Sequence, residues 1–338
     1  MIEHGRDMFP TPQTVSQFSE IDRLLVNPVI DAPFTARDKA ALDAKRQFHR
    51  LGQIAVLMIA GSAIFTVADA LLPNFVPDSF VLRLIVVSVA GIGILLQLYL
   101  IATGQKQKWL LNRYAAERLR SIKFQAYKLA GSVETADALP AALDTFFKRS
   151  IAALENELNG GIAVLRTFNA AHALIDVAAP KKPANSALNE AALEAYTELR
   201  MQYQSRFAQS EIERFTSRRR LFNSTQDMVY LAAAFFTFLA LGAKLIEPFG
   251  PNIATGGMEF LAVSFFIIGA TEAILDHALL EEQSQSRYEQ YARDIDALIQ
   301  NSKNRRRALP DLVDDMESLS LEELGHFCSA AQKISYRF

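Results

Sequence analysis

Four apolar runs interrupt an otherwise polar chain of 338 residues. The first pair covers about residues 54–72 and 84–103, and the second pair covers about residues 228–243 and 258–275. Each run holds roughly 16 to 20 residues, and a helix of about 20 residues crosses a hydrocarbon core about 30 Å thick. The pattern therefore predicts four transmembrane helices.

A short proline-containing segment separates the two runs of each pair. Pro73 and Pro77 lie in the first segment, and Pro248 and Pro251 lie in the second. Proline has no N–H donor and restricts the residue before it, so it favours a turn between two helices. Each pair of runs is predicted to form a helical hairpin.

Positive charges are concentrated in the segments that flank the hairpins. They include Lys45, Arg46 and Arg50 before the first run, Lys106, Lys108, Arg113, Arg118 and Arg120 after the second, and Arg214, Arg218, Arg219 and Arg220 before the third. The two turns hold only Arg83 and Lys244. Because cytoplasmic flanks are rich in Lys and Arg, we expect both hairpins to insert in the same orientation, with both termini cytoplasmic.

The polar segments are predicted to be mostly helical. Residues 1–34 contain four prolines and are predicted to form an extended or partly ordered N-terminal arm. A helix is expected to begin near Thr35 and to run into the first apolar run, and the second run is expected to continue outward as helix towards Gly131. The predicted fold class is an all-α membrane protein whose long helices extend into a cytoplasmic helical region.

The domain organisation follows from these segments. After the arm we expect a first hairpin unit at 35–130, a cytoplasmic helical insert at 131–186, a second hairpin unit at 187–309 and a C-terminal helical tail at 310–338. In the second hairpin unit, a long polar helix is expected before the third run and another helix after the fourth. In the tail, Ser320 and Glu323 have the spacing of a capping box and are expected to begin a short helix.

The two hairpin units share an order of parts that indicates an internal repeat. Each has a helix, two runs joined by a turn, and a further helix with an Arg-Tyr pair, which is Arg113-Tyr114 in the first unit and Arg287-Tyr288 in the second. The alternative is that any two helical hairpins look alike at this level of comparison.

The sequence lacks a pattern typical of catalysis. The single cysteine, Cys328, excludes an intrachain disulfide and a multi-cysteine metal site, and the five histidines are scattered. We therefore expect a protein that is not an enzyme, with no catalytic residues, no metal and no cofactor. The net charge of -2 gives no reason to expect binding to nucleic acid.

Small and polar residues within the runs have two interpretations. They are Ser62, Thr66 and Asp69 in the first run, Gly93 and Gln97 in the second, and Gly269 and Glu272 in the fourth. At helical spacing each set shares one face. Such faces either line a pore or gate between subunits, or allow helices to pack closely while the charged residues reach the membrane surface.

Other residues are candidates for contact with the lipid surface. Arg214, Arg218, Arg219 and Arg220 form a basic cluster ahead of the third run. Such a cluster is typical of a site that meets anionic lipid headgroups. Trp109, just beyond the second run, is predicted to anchor the chain at the membrane interface.

The stretch that follows the first hairpin resembles a known family. Trp109, Arg113, Tyr114 and Glu117, within an aromatic-rich segment, are similar to the pattern of the SLATT superfamily, whose two-transmembrane effector domains accompany SMODS nucleotide cyclases and SLOG sensors. The resemblance covers about residues 40–130, and about residues 205–300 by architecture alone. Four runs and the long helical insert depart from the simplest pattern of the family.

The resemblance implies a bacterial anti-phage defence protein in the inner membrane. From it we expect either a pore-forming or membrane-perturbing effector, or an accessory partner of a cytosolic defence protein or a nucleotide signal. We also expect a homo-oligomer, because two hairpins cannot enclose a wide pore alone. The alternatives are a membrane anchor that recruits a cytosolic ATPase or deaminase complex, and a regulatory subunit of a transporter.

Overall fold

A computed structural model describes residues 7–72, 79–175, 177, 183–246, 255–279, 281–305 and 307–332. These residues are all-helical, without a strand, which confirms the predicted secondary-structure class for them. The α-helices are α1 (Pro12–Gln17), α2 (Asp22–Leu25), α3 (Pro28–Leu71), α4 (Phe80–Thr103), α5 (Gln105–Gln125), α6 (Leu139–Leu158), α7 (Ala163–Thr167), α8 (Ala170–Ala173), α9 (Ser186–Tyr196), α10 (Tyr203–Ile246), α11 (Thr255–Leu279), α12 (Glu281–Arg305) and α13 (Leu309–Gln332). A six-residue π-helix, Thr197–Gln202, lies between α9 and α10.

The chain forms two compact units, each assembled from separate segments. The core unit consists of Met1–Ala44, Gln107–Phe215 and Glu282–Lys333. The apolar unit consists of Lys45–Lys106, Thr216–Glu281 and Ile334–Phe338. Both units therefore combine parts from the two halves of the sequence.

In the part of the chain that the structure describes, three helices are long and apolar enough to cross a membrane. They are Pro28–Leu71, Phe80–Thr103 and the Gly257–Leu275 portion of α11. In the region of the third predicted span, the shorter apolar stretch Leu231–Leu241 is described within α10. The side chains of Tyr230 and of residues 242–246 fall outside the described residues. The span predicted at 228–243 therefore stays a prediction.

Residues 7–34 of the predicted extended arm are largely helical and packed, which corrects that expectation for them, while residues 1–6 lie outside the described residues. Residues Phe18, Ile21, Leu24 and Leu25 are each no more than 4% exposed. Their spacing of three and four residues places them on a shared inward side as short helices form. The burial of this apolar side, which the prolines obscured, holds the segment in the core unit.

Helix α3 begins at Pro28, seven residues before the predicted start. Asn27 caps it, because its side-chain oxygen accepts a hydrogen bond from the Val29 N–H (3.1 Å) while Asp31 accepts one from the Asn27 N–H (2.9 Å). Proline suits the first helical position, where no intrahelical N–H bond is needed. Thr35 instead lies inside the helix, and its hydroxyl donates to the carbonyl of Asp31 (2.8 Å).

The second apolar helix does not continue unbroken into the polar segment, contrary to expectation. Helix α4 ends at Thr103, and Gly104 adopts a left-handed conformation with φ of 60°. Glycine takes this conformation without the steric cost of a Cβ atom, so it ends the helix. A new helix, α5, begins at Gln105.

The C-terminal tail also differs from its prediction. One continuous helix, α13, covers Leu309–Gln332, so Ser320 lies in its interior and does not begin a helix. The Ser320 hydroxyl is hydrogen-bonded to the Tyr291 hydroxyl of α12 at 2.9 Å. The predicted helix after the fourth run is present as α12.

Candidate functional site

The interior of the core unit holds a network of charged side chains. The Arg200 guanidinium donates from Nε and Nη2 to the two carboxylate oxygens of Glu317, at 2.8 and 3.0 Å. Its Nη1 donates to Asp7 at 3.3 Å, and Gln204 donates to the same oxygen of Asp7 at 3.0 Å. These contacts join the N-terminal segment, the π-helix and α13.

The position of Arg200 is reinforced by an aromatic ring and by its electrostatic surroundings. Its guanidinium lies 4.6 Å from the centre of the Phe124 ring, a cation–π distance. Burial alone would lower the pKa of Arg200, but the carboxylates of Glu317 and Asp7 outweigh burial and raise it. Arg200 therefore stays charged inside the core unit.

A second buried cation, Lys123 on α5, holds the N-terminal segment. Its ammonium donates to the carbonyls of Met8 (2.7 Å) and Leu25 (2.8 Å) and to the Asp31 carboxylate (2.7 Å). Burial lowers the pKa of Lys123, and the nearby Asp31 carboxylate opposes that shift. All three N–H donors have acceptors, so the buried ammonium is fully satisfied.

The residues that resemble the SLATT pattern lie within the core unit on α5. Arg113 forms ion pairs with Glu117 (2.5 Å) and Asp38 (3.4 Å). The Tyr114 side chain is buried, and its hydroxyl donates to Glu157 on α6. These residues make contacts between helices, so their arrangement serves the packing of the core unit.

Trp109 does not occupy the position expected of a membrane anchor. It is 4% exposed, and its ring packs edge-on against Phe327 of α13 with centroids 6.1 Å apart. A side chain covered by protein cannot lie among lipid headgroups, so the lipid-interface prediction for Trp109 is wrong. Its sequence position next to an apolar run was the misleading signal.

The second Arg-Tyr pair of the predicted repeat approaches a part of α13 that Trp109 of α5 also contacts. Arg287 pairs with Glu323 at 3.0 Å and lies 5.3 Å from the centre of the Phe327 ring, which Trp109 also contacts. Burial and the Glu323 carboxylate raise the pKa of Tyr288 to about 12. The repeat itself stays a prediction, because these contacts do not show that the two hairpin units have equivalent structures.

In the apolar unit, the hydroxyl groups of Ser62 and Thr66 on α3 have hydrogen-bond acceptors on α3 and, for Ser62, also on α4. Ser62 is 7% exposed. Its hydroxyl lies 2.8 Å from the carbonyl of Met58 in the same helix and 3.3 Å from the carbonyl of Val86 on α4. The Thr66 hydroxyl donates to the carbonyl of Ser62 at 2.9 Å. Both side chains thus have acceptors within the chain.

The same two helices also meet through an ion pair and a close backbone approach. Arg83 donates to both oxygens of Asp69, at 3.1 and 3.2 Å. A Cβ atom on Gly93 would lie 2.9 Å from Ile59 and 3.1 Å from the carbonyl of Ala55. Later residues of α4 meet earlier residues of α3, so the two helices are antiparallel.

The remaining candidate residues are placed by the structure but not brought into one site. Gly269 is buried and Glu272 partly buried on α11, and Gln97 of α4 has a buried amide nitrogen with no hydrogen-bond partner. Arg214 is exposed and pairs with Glu211 at 3.4 Å. Arg218, Arg219 and Arg220 lie in α10, but their side chains fall outside the described residues.

Comparisons of the chain with family models, with curated proteins and with solved structures give no match. Among the described residues, no group of three or more His, Cys, Asp and Glu side chains could hold a metal ion. The fold therefore defines a class: an all-helical protein in its described part, with three helices able to cross a membrane and a unit with a charged interior.

Proposed function

We propose that the chain is a bacterial inner-membrane protein of anti-phage defence, which acts as an oligomeric, membrane-perturbing effector. The observation that carries its membrane location is the exposure of large apolar side chains along α4 and α10. Phe80 is 79% exposed, Val87 68%, Leu231 70% and Phe238 73%. Apolar surface costs about 25 cal/mol per Å² in water, so these faces require lipid or protein around them.

The proposed topology places two hairpins in the membrane with the same orientation. The antiparallel contacts between α3 and α4 support the first hairpin. The basic flanks support cytoplasmic termini and a cytoplasmic core unit. The exposed apolar faces would then be covered by lipid and by further copies of the chain in a homo-oligomer.

The defence role rests on the resemblance at Arg113, Tyr114 and Glu117. In this proposal the core unit receives a signal from a cytosolic defence protein or a nucleotide, and the apolar unit changes membrane permeability. The charged contacts among Asp7, Arg200 and Glu317 are the contacts that such a signal would have to alter, because displacing one partner leaves the others buried and unpaired.

Permeability measurements on cells test the effector role. Induction of the full chain together with phage infection should depolarise the membrane and admit a dye that intact cells exclude. Mass photometry of the protein in nanodiscs should show multiples of the 37.6 kDa chain. Cells that keep their potential with abundant protein during infection, or a strictly monomeric protein, would contradict the effector proposal.

A second candidate, a membrane anchor for a cytosolic complex, is favoured by one specific observation. Ser62 and Asp69 of α3 contact Val86 and Arg83 of α4, whereas Thr66 bonds within α3, so these polar groups are occupied by contacts within the chain. An anchor needs no polar path through the membrane. Recovery of a cytosolic ATPase or deaminase with the protein, without any change in permeability, would support the anchor over the effector.

A further inference from the structure

We propose that a cavity in the core unit binds a small organic anion that has an apolar body. The cavity has a volume of about 450 Å³ and lies between α5, α6 and the segment that follows α8. Small-molecule sites typically measure about 300–1,000 Å³ and combine apolar walls with a few polar groups. The proposal concerns ligand binding alone and stands independently of the proposed function.

The wall after α8 is fixed to neighbouring residues by three hydrogen bonds. Arg118 Nη1 donates to the carbonyl of Ala173 at 2.7 Å, and Lys128 donates to the carbonyl of Ile175 at 3.2 Å. The Ile175 N–H donates to the side chain of Gln125 at 2.6 Å. The cavity is therefore bounded by backbone that is held in place.

Arg118 lines this cavity with part of its hydrogen-bonding capacity unused. Its side chain is 8% exposed, and its Nε atom is buried with no hydrogen-bond partner. Its Nη2 atom lies 3.7 Å from Glu157, beyond hydrogen-bonding distance. The Nε and Nη2 atoms form the edge with which a guanidinium binds a carboxylate or phosphate through two parallel bonds.

In Arg200, the same two guanidinium atoms are bound to a carboxylate of the chain. Its Nε and Nη2 atoms donate to Glu317 at 2.8 and 3.0 Å. Both arginines are almost fully buried, but only Arg200 has a carboxylate in this geometry. The contrast indicates that the Arg118 edge, which has Glu157 only at an ion-pair distance of 3.7 Å, is suited to an anion that binds more closely.

The rest of the lining sets the character of the ligand. Exposed Arg149 adds a second positive charge and forms no ion pair with any described residue, whereas Glu157 contributes one negative charge. Most other lining residues are apolar, including Phe146, Leu154 and Ile175. This lining fits a carboxylate or phosphate joined to an apolar or aromatic body.

Glu157 is the internal competitor of such a ligand. One of its oxygens accepts a hydrogen bond from Tyr114, and the other lies near Arg118 without bonding to it. Replacement by glutamine keeps an acceptor for Tyr114 and removes the competing charge. The variant Glu157→Gln should therefore bind the anion more tightly.

The test uses 2-naphthoate, 2-naphthyl phosphate, uncharged 2-naphthylmethanol and AMP as probes. Binding to the full chain in lipid nanodiscs is measured by isothermal titration calorimetry, with empty nanodiscs subtracted. Saturable binding of naphthoate or naphthyl phosphate is expected, and the stronger of the two identifies the anionic group. Naphthylmethanol, which lacks the charge, and AMP, which has a polar body, should each bind about tenfold more weakly or not at all.

Three variants locate the site. Arg118→Lys keeps the charge but lacks the two-bond edge, so affinity should fall about tenfold. Glu157→Gln should tighten binding about threefold, because a competing charge is removed. Arg166→Gln, which changes an exposed arginine of α7 outside the cavity lining, should leave affinity unchanged.

Several results would overturn the proposal. They are a lack of saturable binding by wild-type protein, equal binding of naphthylmethanol, and binding of AMP as tight as that of either naphthyl anion. Full affinity in Arg118→Lys, or no gain in Glu157→Gln, would do the same. The gain expected for Glu157→Gln cannot arise from misfolding, so one variant tests the site independently of stability.

Discussion

At the scale of single residues, long-range charge pairs give the core unit its specific contacts. Arg200 meets Glu317 and Asp7 across more than a hundred residues of sequence, and Lys123 meets Asp31 across 92 residues. These side chains have ordinary sequence surroundings, and no local spacing reveals such partners. The sequence could indicate which helices form, but not which buried charges they bring together.

Replacement of Arg200 should reveal the cost of leaving buried carboxylates unpaired. Arg200→Met is expected to lower the free energy of unfolding by about 3–5 kcal/mol, since the buried Glu317 loses its two hydrogen bonds from Arg200 and, among the described residues, keeps only the one from Tyr196. Denaturant or thermal unfolding in detergent measures the change. Arg206→Met is the matched control, because Arg206 is exposed and, within the described part of the chain, its side chain donates only to the carbonyl of Gln202, four residues earlier.

A double variant that also replaces Glu317 tests the same contact. In the double variant Arg200→Met/Glu317→Leu, the loss should be smaller than the sum of the two single losses, because the unpaired carboxylate is gone. A single-variant loss within about 0.5 kcal/mol of the Arg206→Met control would contradict the assigned role of Arg200.

The buried thiol of Cys328 makes a prediction about reactivity and pH. Burial, reinforced by the Glu323 carboxylate, raises the pKa of Cys328 to about 12. The thiolate, which is the reactive form, is therefore scarce at pH 8 and increases only as the pH rises towards 12. Native protein should resist labelling by a maleimide at pH 8, and protein unfolded in SDS should react within minutes.

Because the chain has one cysteine, the labelling result applies to a single position. The stoichiometry of label is read by intact mass. Native protein that reacts at the rate of the unfolded chain would show that α13 does not cover Cys328 as described.

At the scale of helices, periodicity predicted which elements form, but not where several of them begin and end. The apolar runs and the polar helices α6, α9 and α12 were apparent from their spacing. The start of α3 was missed because the prolines near Asn27 suggested an extended arm. The end of α4 was missed because the residues on both sides of Gly104 have helical spacing, whereas the left-handed conformation of Gly104 ends the helix.

Gly93 gives a direct test of the contact between α3 and α4. The change Gly93→Val places a branched side chain where a Cβ atom would already lie 2.9 Å from Ile59. Such overpacking should destabilise the protein by about 1–3 kcal/mol, as measured by thermal unfolding in detergent.

Gly91, two residues earlier on the same helix, is the control. A Cβ atom at Gly91 has no atom within 4 Å, so Gly91→Val changes helix propensity without a clash. If the two valine variants unfold at the same temperature, the close approach of α4 to α3 at Gly93 is not present in the protein.

At the scale of the whole molecule, three of the four predicted apolar spans are confirmed as long apolar helices, but the sequence did not predict which segments make up the two units. Each unit gathers segments from both halves of the chain, whereas a hairpin-by-hairpin reading suggested units that follow one another. In the core unit, long-range packing onto α13 contributes to this, because α13 lies at the end of the sequence and contacts α5, α9 and α12. The spacing of apolar residues within one helix does not indicate which other helices it contacts.

The central claim is that the apolar unit spans the membrane while the core unit remains in the cytoplasm. Single cysteines, introduced in a Cys328→Ala background, report which parts of the chain are outside. Asn74→Cys and Asn252→Cys are chosen from the sequence of the two turns, and Asp137→Cys lies at an exposed position of the core unit.

The decisive measurement is labelling of intact spheroplasts with a membrane-impermeant maleimide, repeated after permeabilisation. We predict that the Asn74→Cys and Asn252→Cys variants are labelled in intact spheroplasts, and that Asp137→Cys is labelled only after permeabilisation. Labelling of Asp137→Cys in intact spheroplasts, or protection of either turn, would contradict the account.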